Sequence, residues 1–189
     1  MRQKLKKSKV IQPLRLDIGC GPNKKEGFTG VDQYKFPGVD VVCDLKKKWP
    51  FNDNTVDEIH CSHVIEHFTG VERCHIYNEM YRVMKVGAKA SLIAPYWGSG
   101  RAYGDPTHCW PPISDFSFYY LLKSWRAANA PHRDAEHWAE GDTCDFDATW
   151  GYSLHPTLTT RNQEYQQHAV TFFKEAVQDV IYNLVKRAP

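Results

Sequence analysis

Three side chains able to bind metal or move protons stand together in CSHVIEHF, residues 61–68: His63, Glu66 and His67. Spaced at i, i+3 and i+4, they fall on one face if the segment is helical, and Ser62 stands where it would cap such a helix. Two imidazoles and a carboxylate on one face can hold a divalent ion, do acid–base chemistry, or form a wet polar surface. Which of these applies depends on the elements that place them.

Those elements alternate. PLRLDIGCGPN is a short apolar run ending in a Gly-Pro turn, a buried strand feeding a glycine loop. GFTGVD and GVDVVCDL are two further β-type runs, ending at Asp32 and near Asp44, and TVDEIHCSH is a fourth. Thr69 and Glu72 form a capping box that opens a helix, with Tyr77, Met80, Tyr81 and Met84 on its apolar face. KVGAK breaks the helix and ASLIAPY is a fifth strand. ATWGYSL reads as a strand, RNQEYQQHAVTFFKEA as a helix and DVIYNLVK as a closing strand. This alternation predicts an α/β chain with a mostly parallel sheet. Residues 96–148, with Trp97, Trp110, Trp125, Trp138 and clustered Pro and Gly, read as a partly helical cover over the binding edge. Residues 1–13 form a basic arm, and 14–189 a single domain carrying that cover.

In LDIGCG, Gly19 and Gly21 allow close backbone approach to a ligand. Asp32, at the tip of the second strand, is placed for ribose hydroxyls, and Asp44 repeats the geometry one strand outward, suited to an adenine amino group.

Taken together, LDIGCGP, GVD, CDL, SHVIEH and EMYRVMKVGAKASLIAP resemble the class I S-adenosylmethionine-dependent methyltransferases, in the small branch with V-x-E-H after the fourth strand. The resemblance covers residues 14–95. It implies a Rossmann-like sheet of seven strands with the last antiparallel, and a domain that binds S-adenosylmethionine. Asp17, Ile18, Gly19, Cys20 and Gly21 would border the methionine end of the cofactor. Asp32 would take the ribose, Asp44 and Leu45 the adenine edge, and Ser62–His63 the region beneath the sulfonium. Only eleven positions separate Gly21 from Asp32. A full helical crossover needs more, so the first helix is expected to be vestigial.

Methyl transfer is an in-line displacement that needs alignment and a deprotonated nucleophile. His67, with Asp105 and His108 of GDPTHCW just after the fifth strand, is the candidate catalytic group. The alternative for Asp105 and His108 is a simple Asp-Pro-Thr turn. Trp97, Tyr103 and Trp110 offer a stacking wall for a planar acceptor, or the core of the cover. The segment also looks like the small-RNA 3′-end 2′-O-methyltransferases, where E-x-x-E-H and a later histidine hold a divalent ion. That likeness implies a ligand set of His63, Glu66, His67 and His108, whose three imidazoles favour a transition metal over magnesium.

A small-molecule acceptor is the first reading. RNA is the alternative, prompted by the arm MRQKLKKSKV, and a non-catalytic cofactor-binding module is another. The H-x-x-E-H spacing also matches an inverted zinc protease, which would leave LDIGCG, Asp32 and Asp44 without a role. With 42% hydrophobic and 24% charged residues and a net charge of +2, the 189-residue chain has globular composition and no strong field. No apolar run reaches the ~18 residues of a membrane span. The basic start leads into no signal-peptide core, so a cytoplasmic location is expected. The six scattered cysteines read as buried thiols.

Overall fold

The computed structural model describes residues 12–130 and 144–189. Most of the basic arm and residues 131–143 of the cover, Trp138 included, lie outside them. Seven strands, β1 (Arg15–Ile18), β2 (Thr29–Asp32), β3 (Val41–Val42), β4 (Val56–Ser62), β5 (Met84–Pro95), β6 (Phe146–Leu154) and β7 (Val177–Lys186), form one sheet. Its order is β3-β2-β1-β4-β5-β7-β6. β7 runs antiparallel to both neighbours, and β1 to β5 pair in parallel. This is the sheet expected from the sequence.

The shortened crossover is more general than expected. No helix stands between β1 and β2, β2 and β3, or β3 and β4; only the β4–β5 connection carries one, α1 (Gly70–Val83). Thr69 and Glu72 close the expected capping box at its start. Tyr77, Met80 and Tyr81 bury on the sheet, and Met84, also buried, already belongs to β5. KVGA does not interrupt the strand. Gly87 takes a φ of +79°, and the β4–β5 register shifts between Val56 and Glu58, so the extra residues bulge out.

The helix-free β3–β4 connection is held by α1. Glu79 accepts from the Trp49 amide at 2.6 Å and pairs with Arg82, which donates to the carbonyls of Trp49 and Phe51. Trp49 thereby packs in the core, 1% exposed, where a crossover helix would otherwise supply bulk. Beyond β5, α2 (Arg101–Gly104), a 3₁₀ segment (Asp115–Leu121) and α3 (Lys123–Asn129) form the described cover. β6 begins at Phe146, so the last three residues of the expected cover, 146–148, belong to the sheet. Helix α4 (Gln163–Phe172) precedes β7. Among the described residues, no helix is long and apolar enough to cross a membrane.

Candidate active site

A cleft of about 340 Å³ opens at the carboxyl ends of the parallel strands, lined by Gly19, Asp32, Tyr34, Leu45, His63 and His67 among others. Gly19 has to be glycine. Its φ is +67°, and a Cβ there would stand 2.3 Å from Val64 Cγ2.

The loop amides do not hang free for a ligand, as the sequence suggested. Gly19 and Cys20 donate to the Val31 carbonyl, and Gly21 donates to Asp32 Oδ2 at 2.9 Å. With no first helix to present them, these amides close onto β2 instead. Asp32 also accepts from the Tyr34 amide, so one buried carboxylate shapes both loops and still lines the cleft. Asp17 accepts from the Lys25 amide at 2.7 Å, which fixes the short β1–β2 connection. Ile18 is 1% exposed in the core, leaving its backbone alone for a ligand. Burial, with Asp17 and Asp32 nearby, pushes the Cys20 thiol up.

Asp44 is turned onto its own turn, accepting from the Lys46 amide and pairing with Lys47 at 3.4 Å, and does not line the cleft. Leu45 does, and so does an edge-to-face pair the sequence reading missed, Tyr34 and Phe36, 6.2 Å apart. Two aromatics directly after Asp32 were the available signal.

CSHVIEHF is not an α-helix. Ser62 ends β4, His63 adopts a left-handed φ of +56°, and Ile65–His67 form one 3₁₀ turn without a side-chain cap. His63 therefore stays beside Glu66 but outside the group that Glu66 forms with His67. Its Nδ1 stands 3.3 Å from Glu66 Oε1, off hydrogen-bond alignment, and its Nε2 stands 3.9 Å from Asp179 Oδ1. Carboxylates at both nitrogens, Glu66 foremost, push its pKa above the ordinary imidazole value and favour the imidazolium. His63 is not among the side chains whose ligand atoms gather within 4.8 Å of one another.

Glu66, His67 and His108 do come together, with ligand atoms within 4.8 Å of one another. The rings of His67 and His108 meet edge to face at 4.8 Å. Thr107 Oγ1 donates to Asp105 Oδ1 at 2.7 Å and stands 2.9 Å from His67 Nδ1. With its proton committed to Asp105, the hydroxyl accepts from His67 Nδ1–H. His108 Nδ1 faces the Ala102 carbonyl at 3.2 Å, which can only accept. Both rings thus carry a proton on Nδ1. Glu66 is 4% exposed, and neither of its carboxylate oxygens has a hydrogen-bond partner. Two imidazoles and a buried carboxylate without hydrogen-bond partners fit a divalent ion, and equally a proton acceptor. Asp105 reaches His67 through Thr107, and its Oδ2 stands 3.8 Å from His108 Nε2.

The residue that assembles this cluster, Arg73 of α1, was invisible to spacing arguments. Its buried guanidinium donates to the carbonyls of Ile65, Cys109 and Pro111 at 2.8, 3.0 and 2.5 Å. The Cys109 amide adds a bond to the Glu66 carbonyl at 2.8 Å. These contacts dock the loop carrying Asp105 and His108 onto the 3₁₀ turn carrying Glu66 and His67. Asp179 and Arg101, paired at 2.9 Å beside His63, were also missed.

Residues 23–92 match the profile of a methyltransferase domain. No curated protein sequence matches the chain. Among solved structures, a SAM-dependent methyltransferase from Archaeoglobus fulgidus superposes with a TM-score of 0.65 at 20% identity, covering 92% of this chain and 86% of that one. A SAM-dependent methyltransferase from Methanosarcina mazei gives 0.56 at 14% identity, covering 95% of each chain. The 1,6-didemethyltoxoflavin-N1-methyltransferase of Burkholderia thailandensis gives 0.57 at 11% identity, with 94% of this chain and 72% of that one covered. Over residues 23–92 the chain is similar to a methyltransferase domain, and its seven-stranded sheet has the fold of these S-adenosylmethionine-dependent methyltransferases.

Proposed function

We propose that the protein transfers a methyl group from S-adenosylmethionine to a nucleophilic atom of a small molecule, at the Glu66–His67–His108 cluster. The observation that carries this reading is that His67 belongs to both places: it lines the cleft at the strand ends and it is part of the cluster. Asp32 would hold the ribose, with Tyr34, Phe36 and Leu45 flanking the adenine. The acceptor's lone pair forms the new bond to the methyl carbon while the carbon–sulfur bond breaks, and that electron pair leaves on sulfur as the neutral thioether of S-adenosylhomocysteine. The acceptor's proton passes to Nε2 of His67 or His108, whose Nδ1 protons are already held by Thr107 and Ala102. Alignment supplies most of the rate, and a base contributes about 10²–10⁴-fold. If a divalent ion is resident, Glu66, His67 and His108 would hold it, and it would supply Lewis acidity toward the acceptor oxygen or nitrogen. A net charge of +2 gives no strong overall field toward phosphates, which favours a small molecule over RNA.

Calorimetry with S-adenosylmethionine and S-adenosylhomocysteine tests the cofactor assignment. Asp32→Ala should cost about 1–3 kcal/mol of binding through the lost charge-assisted bonds. Absence of binding by the wild type would overturn the reading. Elemental analysis of the purified chain, with His67→Ala and His108→Ala alongside, decides the ion. Full activity of a metal-free sample in chelator would leave the two histidines as proton acceptors alone.

A further inference from the structure

His108 is steadied by α2, and α2 is too short to hold itself. The helix is a single turn, Arg101–Gly104, whose Ala102 carbonyl accepts from His108 Nδ1 at 3.2 Å. One turn has no cooperative stability of its own in water. What fixes it comes from seventy-five positions further along the chain, in the connection between α4 and β7.

There Glu175 grips the residues that lead into α2. Its Oε1 accepts from the Gly100 amide at 2.7 Å and its Oε2 from Ser99 Oγ at 3.2 Å. Its own amide donates to the Gly98 carbonyl at 3.0 Å. Ser99, fully buried, passes the hold inward. Its hydroxyl oxygen accepts from the Arg101 amide at 3.2 Å, and its carbonyl accepts from the Ala102 amide at 3.0 Å. Successive bonds therefore run from the Glu175 carboxylate to Ser99, from Ser99 to Ala102, and from Ala102 to the His108 ring.

The backbone of Glu175 argues the same way. Its φ is +64°, in the left-handed region where glycine is the default and a Cβ is strained. Glu175 is exposed, so burial does not account for a glutamate there. Its two carboxylate bonds do, and strain of this kind persists where a side chain is used. Without the hold, the proton on His108 has another place to go. Asp105 Oδ2 stands 3.8 Å from His108 Nε2 and would draw the proton to that nitrogen.

We infer that Glu175 is a positioning residue for methyl transfer: through Ser99 and Ala102 it orients the His108 ring and keeps its proton on Nδ1. Glu175 neither lines the cleft proposed for the cofactor nor belongs to the Glu66–His67–His108 cluster, so its effect passes through His108. The catalytic consequence rests on the methyltransferase reading; the hold on His108 does not.

The test compares the full-length wild type with Glu175→Gly, which suits the left-handed backbone and removes only the side chain. Imidazole ¹⁵N NMR of chelator-treated protein, in which no ion fixes the rings, should show His67 and His108 both protonated on Nδ1 in the wild type. In Glu175→Gly, His108 should gain the Nε2–H form while His67, tied to Thr107, stays unchanged. The melting temperature should remain within about 4 °C. Label transfer from methyl-tritiated S-adenosylmethionine to a small-molecule cell extract should fall at least about tenfold, with S-adenosylhomocysteine affinity unchanged. If Glu175→Gly does not fold, Ser99→Ala decides, since it removes the shared hydroxyl and leaves the Glu175 backbone alone. An unchanged His108 tautomer, or unchanged label transfer, would overturn the inference. A wild type that transfers no label would overturn the catalytic consequence together with the methyltransferase reading, and the NMR comparison would still decide the hold on His108.

Discussion

Replacing Arg73 by methionine should unfasten the loop that carries His108 and leave most of the sheet intact. Methionine keeps the apolar stem that packs inside α1 and removes only the guanidinium. Four carbonyls lose a bond: Ile65, Cys109, Pro111 and, at a longer distance, Glu66. A hydrogen bond from a charged donor contributes about 1.5–3 kcal/mol, and an orphaned buried acceptor costs about 1–3. A simple sum overshoots, because removing the cation also ends the cost of burying it, a cost visible in the downward push that burial gives its pKa. Water also reaches the freed Pro111 and Cys109 carbonyls once the loop lifts. A loss of about 2–4 kcal/mol is expected in urea unfolding. The more specific expectation is spatial. Hydrogen exchange should accelerate at the Cys109 amide, which donates to the Glu66 carbonyl, and over 105–111, while β4 and β5 keep their protection. Methyl transfer should fall with S-adenosylhomocysteine affinity little changed, since Arg73 does not line the cleft proposed for the cofactor. A destabilisation under ~1 kcal/mol with unchanged exchange over 105–111 would refute Arg73 as the fastener.

Three further expectations follow. Gly19→Ala should cost about 2–4 kcal/mol from left-handed strain plus the Val64 clash; adding Val64→Ala should recover only the clash, as a thermal unfolding cycle would reveal. His63 binds its proton more tightly in the folded state, so the stability it adds is complete below the ordinary imidazole value of 6.5 and lost as pH rises through its higher folded pKa. The advantage of wild type over His63→Asn, a residue that tolerates the left-handed backbone, should shrink across that window in urea titrations at stepped pH. Thr107→Val removes the acceptor of His67 Nδ1–H and should lower activity or metal affinity about 10–100-fold, with unchanged values refuting the tautomer assignment.

Much of the scaffold was legible from short-range pattern. The strand runs, the capping box at Thr69 and the buried stripe of α1 follow from periodicity and turn chemistry, which act over a few residues; the antiparallel direction of β7 was implied only by the family resemblance. Asp32 and the glycine at position 19 were legible for the same reason, because a strand tip and a tight loop impose residue types locally.

Other features were decided only by distant neighbours. CSHVIEHF has helical spacing, yet the Val64 side chain must fit against Gly19 and the His63 amide bonds to Ile93, so the chain leaves β4 through a left-handed residue into a single 3₁₀ turn. That one backbone choice removes His63 from the ligand set and hands it to Glu66 and Asp179. The meeting of His67 with His108, forty-one positions apart, depends on the Arg73 guanidinium reaching carbonyls on two loops. A cavity beyond β5 likewise brings together Trp97 and Phe172, seventy-five positions apart. Sequence alone determined which residues could do chemistry and which sheet carries them. Which of them share a site was set by tertiary packing, because buried carbonyls and carboxylates must find partners wherever the fold supplies them.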